Sequence, residues 1–165
     1  VDKIELSMVI YDYIDWEADD IVNDVFKIYP TGLTDDEIVS PDRPTSENEF
    51  IVFDNELVSF IIIESYMDEV WGYTLKVYIE NKTDDQELII SWTEELINGI
   101  SLESNWYTSI NAGSKGIVAI NFYESDLTDN GITNVESISF LLSIYDANDW
   151  YSDYIIDQTY EYLVK

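Results

Sequence analysis

The chain contains no cysteine and no histidine among its 165 residues. Without these side chains it cannot form a disulfide, a Cys–His dyad or a Ser–His–Asp triad, and nearly all zinc, haem and iron–sulfur sites lose their ligands. The side chains that remain for chemistry offer mainly oxygen atoms. We therefore expect no cofactor.

Positive charge is also scarce. The chain has 7 lysines and arginines against 35 aspartates and glutamates, so its formal net charge is -28. So few and so scattered basic residues cannot form the continuous basic surface that binds the phosphate backbone of a nucleic acid. The longest apolar cluster is the short run of residues 60–63, far below the roughly 18 residues of a transmembrane helix. We expect no nucleic-acid partner and no membrane insertion.

Glycine and proline are few, with 6 and 3 residues, whereas 46% of the residues are hydrophobic and 15% are aromatic. This composition differs from that of disordered, collagenous or low-complexity chains. The length suits one domain, or one domain plus a fragment, with a substantial core. The sequence therefore predicts a folded, globular protein.

Hydrophobic and polar residues alternate over much of the chain, which is the pattern of half-buried β-strands. Residues 70–80 show it clearly, and the side chains assigned to the buried face are Trp71, Tyr73, Leu75, Val77 and Ile79. A polar turn over residues 81–85 leads to a second run, in which Leu88, Ile90 and Trp92 share a face. We expect these two runs to form a hairpin.

Tight turns separate the further strands. Asn98-Gly99 is a preferred two-residue hairpin turn, and residues 111–113 supply another turn. Several short strands at this spacing predict an all-β, immunoglobulin-like antiparallel β-sandwich. Between residues 125 and 131 a single helical turn is expected to carry the chain from one sheet to the other, with Ser125 as its N-cap.

A segment near the N-terminus recurs at the C-terminus. Residues 4–30 align without a gap on residues 138–164, an offset of 134 positions, and 8 of the 27 pairs are identical. The strongest match places Ile10-Tyr11-Asp12, Asp15-Trp16, Asp19 and Ile21 on Ile144-Tyr145-Asp146, Asp149-Trp150, Asp153 and Ile155. The apolar positions on either side keep the same alternation. We predict two copies of one β-hairpin.

The repeat suggests a division of the chain into an N-terminal hairpin over residues 1–30, a linker loop over 31–48 and the sandwich over 49–165. Two explanations compete for the extra hairpin. It is either the remnant of a preceding unit in a tandem array, or a duplicated hairpin that belongs to the same sandwich, for example at its opposite edge. A lone hairpin is marginal in water, so in either case it must pack on something.

Short segments of residues 70–165 are similar to one known class of domain. They are Glu80-Asn81-Lys82-Thr83-Asp84, Ile97-Asn98-Gly99, Asn111-Ala112-Gly113-Ser114-Lys115, residues 127–132, and Ile144-Tyr145-Asp146 with Trp150. Together they resemble immunoglobulin-like β-sandwich domains of unknown function in exported proteins and lipoproteins of Gram-positive gut bacteria. The resemblance implies the fold and an extracellular or cell-surface, bacterial location. It carries over no catalytic or binding residue.

The acidic turns of the two hairpins are the candidate metal sites. One turn holds Asp12, Asp15 and Asp19, with Asp20 beside them, and the other holds Asp146, Asp149 and Asp153. Clustered carboxylates in a loop can coordinate Ca²⁺. Aspartate is also favoured in turns because its side chain binds nearby backbone amides. The spacing is not that of an EF-hand, and the turn interpretation is preferred.

Aromatic side chains are the candidate binding residues. Tryptophan or tyrosine beside Asp and Asn can hold a sugar ring, and the equivalent Trp16 and Trp150 are the candidates at the hairpin ends. The alternative is packing, because Trp71 and Trp92 lie in phase with core positions. The acidic pairs, including Glu94-Glu95, are expected on turns or polar strand faces, where no burial would separate their pKa values for catalysis.

The sequence therefore predicts a non-catalytic extracellular module, not an enzyme. Its first expected function is architectural or protein-interacting, as an adhesin or spacer segment of a bacterial surface protein. The alternative is a carbohydrate-binding module that uses exposed Trp or Tyr. The partner is expected to be a protein or a glycan.

Overall fold

A computed structural model describes residues 4–10, 22–32, 34, 43, 45–149 and 154–164. The chain divides into two compact units, Val1–Asp42 and Arg43–Lys165, and the division falls inside the predicted linker. We call the second one the sandwich unit. Within the described ranges, no helix has the length and apolar character needed to cross a bilayer.

The described residues form eleven strands and one short helix. In chain order these are β1 (Ile4–Ile10), β2 (Val22–Ile28), β3 (Phe50–Asp54), β4 (Val58–Asp68), β5 (Gly72–Asn81), β6 (Leu88–Ile97), β7 (Ile100–Ser101), β8 (Tyr107–Ile110), β9 (Lys115–Phe122), α1 (Glu124–Asp129), β10 (Ser137–Asp146) and β11 (Ile156–Leu163). The all-β class predicted from the alternation is confirmed.

The sandwich unit contains two antiparallel sheets. The first sheet has the order β3-β4-β5-β9, and the second has the order β11-β10-β6-β7, with β8 also pairing with β6. The inward side chains of both sheets belong to one hydrophobic cluster. Two sheets that share a core in this way form a β-sandwich.

A row of stacked aromatic rings runs through this core from one sheet to the other. Phe60 of β4 lies 5.9 Å from Trp92 of β6, measured between ring centroids. Trp92 stacks on Phe140 of β10 at 3.4 Å, and Phe140 lies 5.9 Å from Tyr160 of β11. Such ring pairs add to the free energy gained by burying their area. The last two strands of the chain thus complete the core.

The predicted hairpin between β5 and β6 is wrong, because these strands lie in different sheets. The fully buried Asn81 holds the crossover in place. Its side-chain amide donates to the carbonyl oxygens of Gln86 at 2.7 Å and Ile110 at 2.9 Å, and its side-chain oxygen accepts from both the amide and the hydroxyl of Thr83. This network satisfies the backbone groups of a connection that runs between two sheets instead of reversing within one.

Two of the predicted turns are present as expected. Asn98 and Gly99 both have positive φ, 52° and 80°, and they join β6 to β7. The helical turn α1 follows β9 of the first sheet and precedes β10 of the second, so it carries the chain between the sheets. The predicted cap is wrong, because the N-cap residue is Tyr123 and its side chain makes no capping hydrogen bond.

The core face of β5 is correct for Tyr73, Leu75, Val77 and Ile79, which are all buried. Trp71 is an exception. It lies in the turn before β5, where the amides of Val70 and Trp71 donate to the Asp68 carboxylate, and its side chain is exposed. The alternation of the strand does not extend into this turn, so it says nothing about where the Trp71 side chain points.

The two copies of the repeated segment form hairpins with the same register. β1 pairs with β2 from Ile4↔Ile28 to Ile10↔Val22, and β10 pairs with β11 from Ile138↔Tyr162 to Ile144↔Ile156. Every one of these pairs coincides after the offset of 134 positions. We call β1–β2 the N-terminal hairpin and β10–β11 the closing hairpin.

Candidate functional site

The N-terminal hairpin presents an apolar face to solvent. The side chains of this face are Ile4, Leu6, Met8, Phe26 and Ile28, and each keeps between 38% and 47% of its surface exposed. In the closing hairpin, the equivalent Ile138, Phe140 and Leu142 are 0% exposed and Tyr162 is 3% exposed. The same pattern of residues is therefore core in one copy and surface in the other. An exposed cluster of this kind commonly marks an interaction site.

The contacts of the closing hairpin show what such a face packs against. Its Phe140 stacks on Trp92, and its Tyr162 lies 5.5 Å from Phe50 between ring centroids. The Tyr162 hydroxyl also lies 3.0 Å from the Ser65 hydroxyl. Along its other side, β10 pairs with β6 over most of its length. Tyr162 is thus covered by β3 and β4 of the first sheet, Phe140 packs on Trp92 of the neighbouring strand, and the strand edge of β10 is covered by β6.

A separate cavity of about 460 Å³ opens at the edge of β6. β8 pairs with residues 88–91 of this strand and β7 pairs with residues 96–97, so residues 92–95 lie in the gap between them. The chain between β7 and β8 forms the other wall. The lining residues are Ile89, Ser91, Trp92, Thr93, Glu94, Glu95, Glu103, Asn105, Trp106, Tyr107 and Tyr145.

A β-bulge turns Glu95 into the protein beside this cavity. On the β10 side, Ser139 pairs with Leu96 and Leu141 pairs with Thr93, so two residues of β6 oppose one residue of β10. Glu94 has a φ of 52°, which places it in the left-handed region. Bulges often re-aim a side chain in this way. Glu95 is 2% exposed, so the expectation that Glu94-Glu95 would lie on a polar strand face is wrong for its second member.

Hydrogen bonds to the Glu95 carboxylate hold the wall of the cavity. One of its oxygens accepts from the Ser104 amide at 2.8 Å, and the other accepts from the Ser104 hydroxyl at 3.0 Å. The Leu102 amide donates to the Glu95 backbone oxygen at 3.2 Å. These bonds fasten the chain between β7 and β8 to the bulge, so the carboxylate has a structural role.

Burial raises the pKa of Glu95, and the negative charge of Glu103 acts in the same direction. The two Ser104 hydrogen bonds oppose this rise because they favour the ionised carboxylate. The buried indole N–H of Trp92 has no hydrogen-bond partner among the described residues, and its proximity to Glu95 also favours the ionised carboxylate. Burial outweighs these contacts, so the folded protein holds the Glu95 proton more tightly than the unfolded chain does.

The cavity combines aromatic surface with oxygen acceptors. Tyr107 is 78% exposed, whereas Trp106 is half-buried and packs edge-on against Phe60. Tyr145 also lines the cavity, and its ring lies edge-on to Tyr154. Among the described residues, no lysine or arginine lines the cavity. Such a surface suits a neutral or positively charged ligand with an apolar face, and it disfavours an anion.

The acidic turns are only partly described. Asp146 is a turn former, since its carboxylate accepts from the Asn148 amide at 2.8 Å. Asp149 follows in the same turn, and its amide donates to the Asp146 backbone oxygen at 3.4 Å. In the part of the chain that the structure describes, no three acidic side chains are grouped so that they could hold a metal ion. Asp12, Asp15, Asp19, Asp153, Trp16 and Trp150 lie outside the described residues.

No protein-family model, curated protein or solved structure matches the chain.

The raised pKa of Glu95 predicts a pH-dependent effect of the Glu95→Gln substitution. As the pH rises through the usual range of a glutamate towards the raised value, the folded wild type loses stability, because it retains a proton that the unfolded chain releases. Glu95→Gln removes this loss. Urea unfolding from about pH 4 to about pH 7 should therefore show the variant gaining stability relative to wild type as the pH rises.

The neighbouring, exposed Glu94 supplies the control, because Glu94→Gln makes the same change of charge on the same strand. Its stability relative to wild type should change much less over that pH range. Equal pH dependence of the two variants would show that the burial of Glu95 has no effect on its titration.

Proposed function

We propose that the protein is a non-catalytic interaction module of a bacterial surface protein, and that the apolar face of the N-terminal hairpin is its binding surface. The observation that carries this proposal is the contrast between the two hairpins. Five large apolar side chains are 38–47% exposed in a register whose second copy builds the core of the sandwich unit. Complete burial of one exposed side chain of this kind contributes roughly 1.5–3 kcal/mol. Covering the face with a partner would therefore contribute substantially to the free energy of binding.

The immunoglobulin-like fold and the extracellular location remain part of this proposal. The two antiparallel sheets with a shared core support the coarser architecture. An architectural role as an adhesin or spacer segment agrees with a chain whose repeated element is a structural hairpin. The net charge of -28 keeps such a module away from anionic surfaces and keeps it in solution.

Carbohydrate binding is the second candidate function, and the cavity beside β6 favours it. Trp106, Tyr107 and Tyr145 offer ring faces, and Asn105 with Glu94 offers hydrogen-bonding groups at the same opening. A sugar ring needs both kinds of contact, since it stacks by its C–H face and binds through its hydroxyls. The equivalent aromatics at the hairpin tips, Trp16 and Trp150, stay predictions.

The proposed binding surface predicts self-association when no partner is present. Wild-type protein should associate with rising concentration, and more strongly at high salt, because salt screens the repulsion between acidic chains while the apolar faces pack together. The double substitution Leu6→Asp and Phe26→Asp should abolish this association in sedimentation velocity. Lys27→Asp, which adds negative charge on the adjacent position of β2, should leave it largely intact.

Wild-type protein that stays monomeric at high salt, or a Lys27→Asp variant that dissociates as completely as the face variant, would contradict the proposal. The first result would show that the apolar face has no binding capacity, and the second would show that charge alone controls association.

The carbohydrate-binding candidate predicts a specific role for Tyr107. In calorimetric titrations with a panel of neutral oligosaccharides, Tyr107→Ala should weaken binding about tenfold, the equivalent of one aromatic stacking contact of about 1.4 kcal/mol. Tyr123 is also exposed but lies outside the cavity, so Tyr123→Ala is the matched control. No binding by wild type, or equal loss in both variants, would rule the cavity out as a sugar site.

A further inference from the structure

We infer that the partner of the N-terminal hairpin is a second β-sandwich of the kind formed by residues 43–165, in which β1–β2 takes the place that β10–β11 has here. This inference rests on the proposed function, because it names the partner of the same apolar face. The hairpin would then close the sandwich of a neighbouring unit, and successive units would be linked by donated hairpins.

The two hairpins pair their strands in the same register. All seven residue pairs of β1–β2 coincide with pairs of β10–β11 after the offset of 134 positions. Because successive side chains of a strand point to opposite faces, a shift of one residue in either hairpin would exchange the two faces. The two hairpins therefore present the same positions to the same side.

Equivalent positions of the two hairpins hold residues of similar size and polarity. The positions that face the core in the closing hairpin are Ile138, Phe140, Leu142 and Ile144 on β10, and their equivalents are Ile4, Leu6, Met8 and Ile10. On the second strand, Tyr160 and Tyr162 correspond to Phe26 and Ile28. Every replacement keeps a large apolar or aromatic side chain, and cores tolerate such exchanges when volume and pattern are preserved.

The sandwich unit shows what the acceptor must offer. It needs the apolar inner face of a four-stranded sheet, equivalent to the one that contacts Tyr162 through Phe50 and Ser65, and a free strand edge equivalent to that of β6, whose Trp92 stacks on Phe140. β10 pairs with β6 through Ile138↔Ile97, Leu142↔Trp92 and Ile144↔Ile90. After the offset, β1 would pair with such an edge through Ile4, Met8 and Ile10.

A second whole copy of this chain is a poorer acceptor, because its own closing hairpin already occupies the position. That hairpin is covalently attached and its core side chains are fully buried. A unit without a closing hairpin of its own has the required surface uncovered. The acceptor is therefore an open sandwich, which has an exposed apolar sheet face and one unpaired strand edge for the hairpin to cover.

A graft within the full-length chain tests whether the N-terminal hairpin fits this position. Residues 138–162 are replaced by the sequence of residues 4–28, a segment of the same 25 residues in length. The control chain receives residues 5–29 instead, which shifts the pattern by one position and turns polar residues inward. In both chains the original N-terminal copy carries Leu6→Asp and Phe26→Asp, so that it cannot close the sandwich itself.

The in-register graft should unfold cooperatively, with a Tm lowered by roughly 5–15 °C because the Phe140–Trp92 stacking and the Tyr162 hydroxyl contact are lost. The shifted graft should show no cooperative transition. Because the chain has no cysteine, cysteines placed at positions 93 and 141 report the register, since these positions pair between β6 and β10. They should form a disulfide in the in-register graft only.

Three results would overturn the inference. An in-register graft without a cooperative transition would show that the hairpin does not fit an open sandwich. Equal cooperativity in both grafts would show that any hairpin suffices. A folded in-register graft without the disulfide would show a different register. None of these results depends on the association of wild-type chains, so a face that binds a partner of another kind is distinguishable from a face that binds nothing.

Discussion

The sandwich unit depends on the packing of Trp92, which stacks on Phe140 of the neighbouring strand at 3.4 Å between ring centroids and meets Phe60 of the opposite sheet at 5.9 Å. Trp92 belongs to β6 and Phe140 to β10, and the row of rings continues to Phe60 in the first sheet and to Tyr160 in β11. The strands that supply the last two rings of this row come at the end of the chain. The core is therefore incomplete until the closing hairpin has packed, which makes that hairpin the element on which the rest of the sandwich relies.

The N-terminal hairpin has the register of that element, but its described apolar side chains are partly exposed. Its apolar side chains are half-exposed where their equivalents are buried. Burial of these side chains stabilises the sandwich in the closing hairpin, and in the N-terminal hairpin much of that stabilisation is not realised. A hairpin that has lost most of its burial is marginal in water. The proposed interaction follows from this imbalance, because a surface built to complete a core gains most by completing another one. The acidic surface elsewhere directs association towards this face, since like charges repel over the remaining surface.

Period-2 alternation was sufficient to predict the strands and the core side chains Leu88, Ile90 and Trp92, because these features follow from side-chain direction along a strand. The gapless repeat predicted the common register of the two hairpins. The alternation could not predict the crossover between β5 and β6, because one of the Asn81 contacts that hold it, the hydrogen bond to Ile110, joins residues far apart in sequence. The burial of Glu95 was missed for a related reason. A bulge depends on the pairing of two strands, and neither strand alone carries a signal for it.

Amide hydrogen exchange, resolved for each strand, tests the central claim that the two hairpins share one register but differ in how far their apolar faces are covered. In the isolated chain, amides of β10 that pair with β6 should exchange only through global unfolding, so their opening free energy should fall steeply with urea. Amides of β1 and β2 should exchange through local opening, with far lower protection and little dependence on urea. Equal protection and equal urea dependence in the two hairpins would contradict the account, because they would show that the N-terminal hairpin already has a cover of its own.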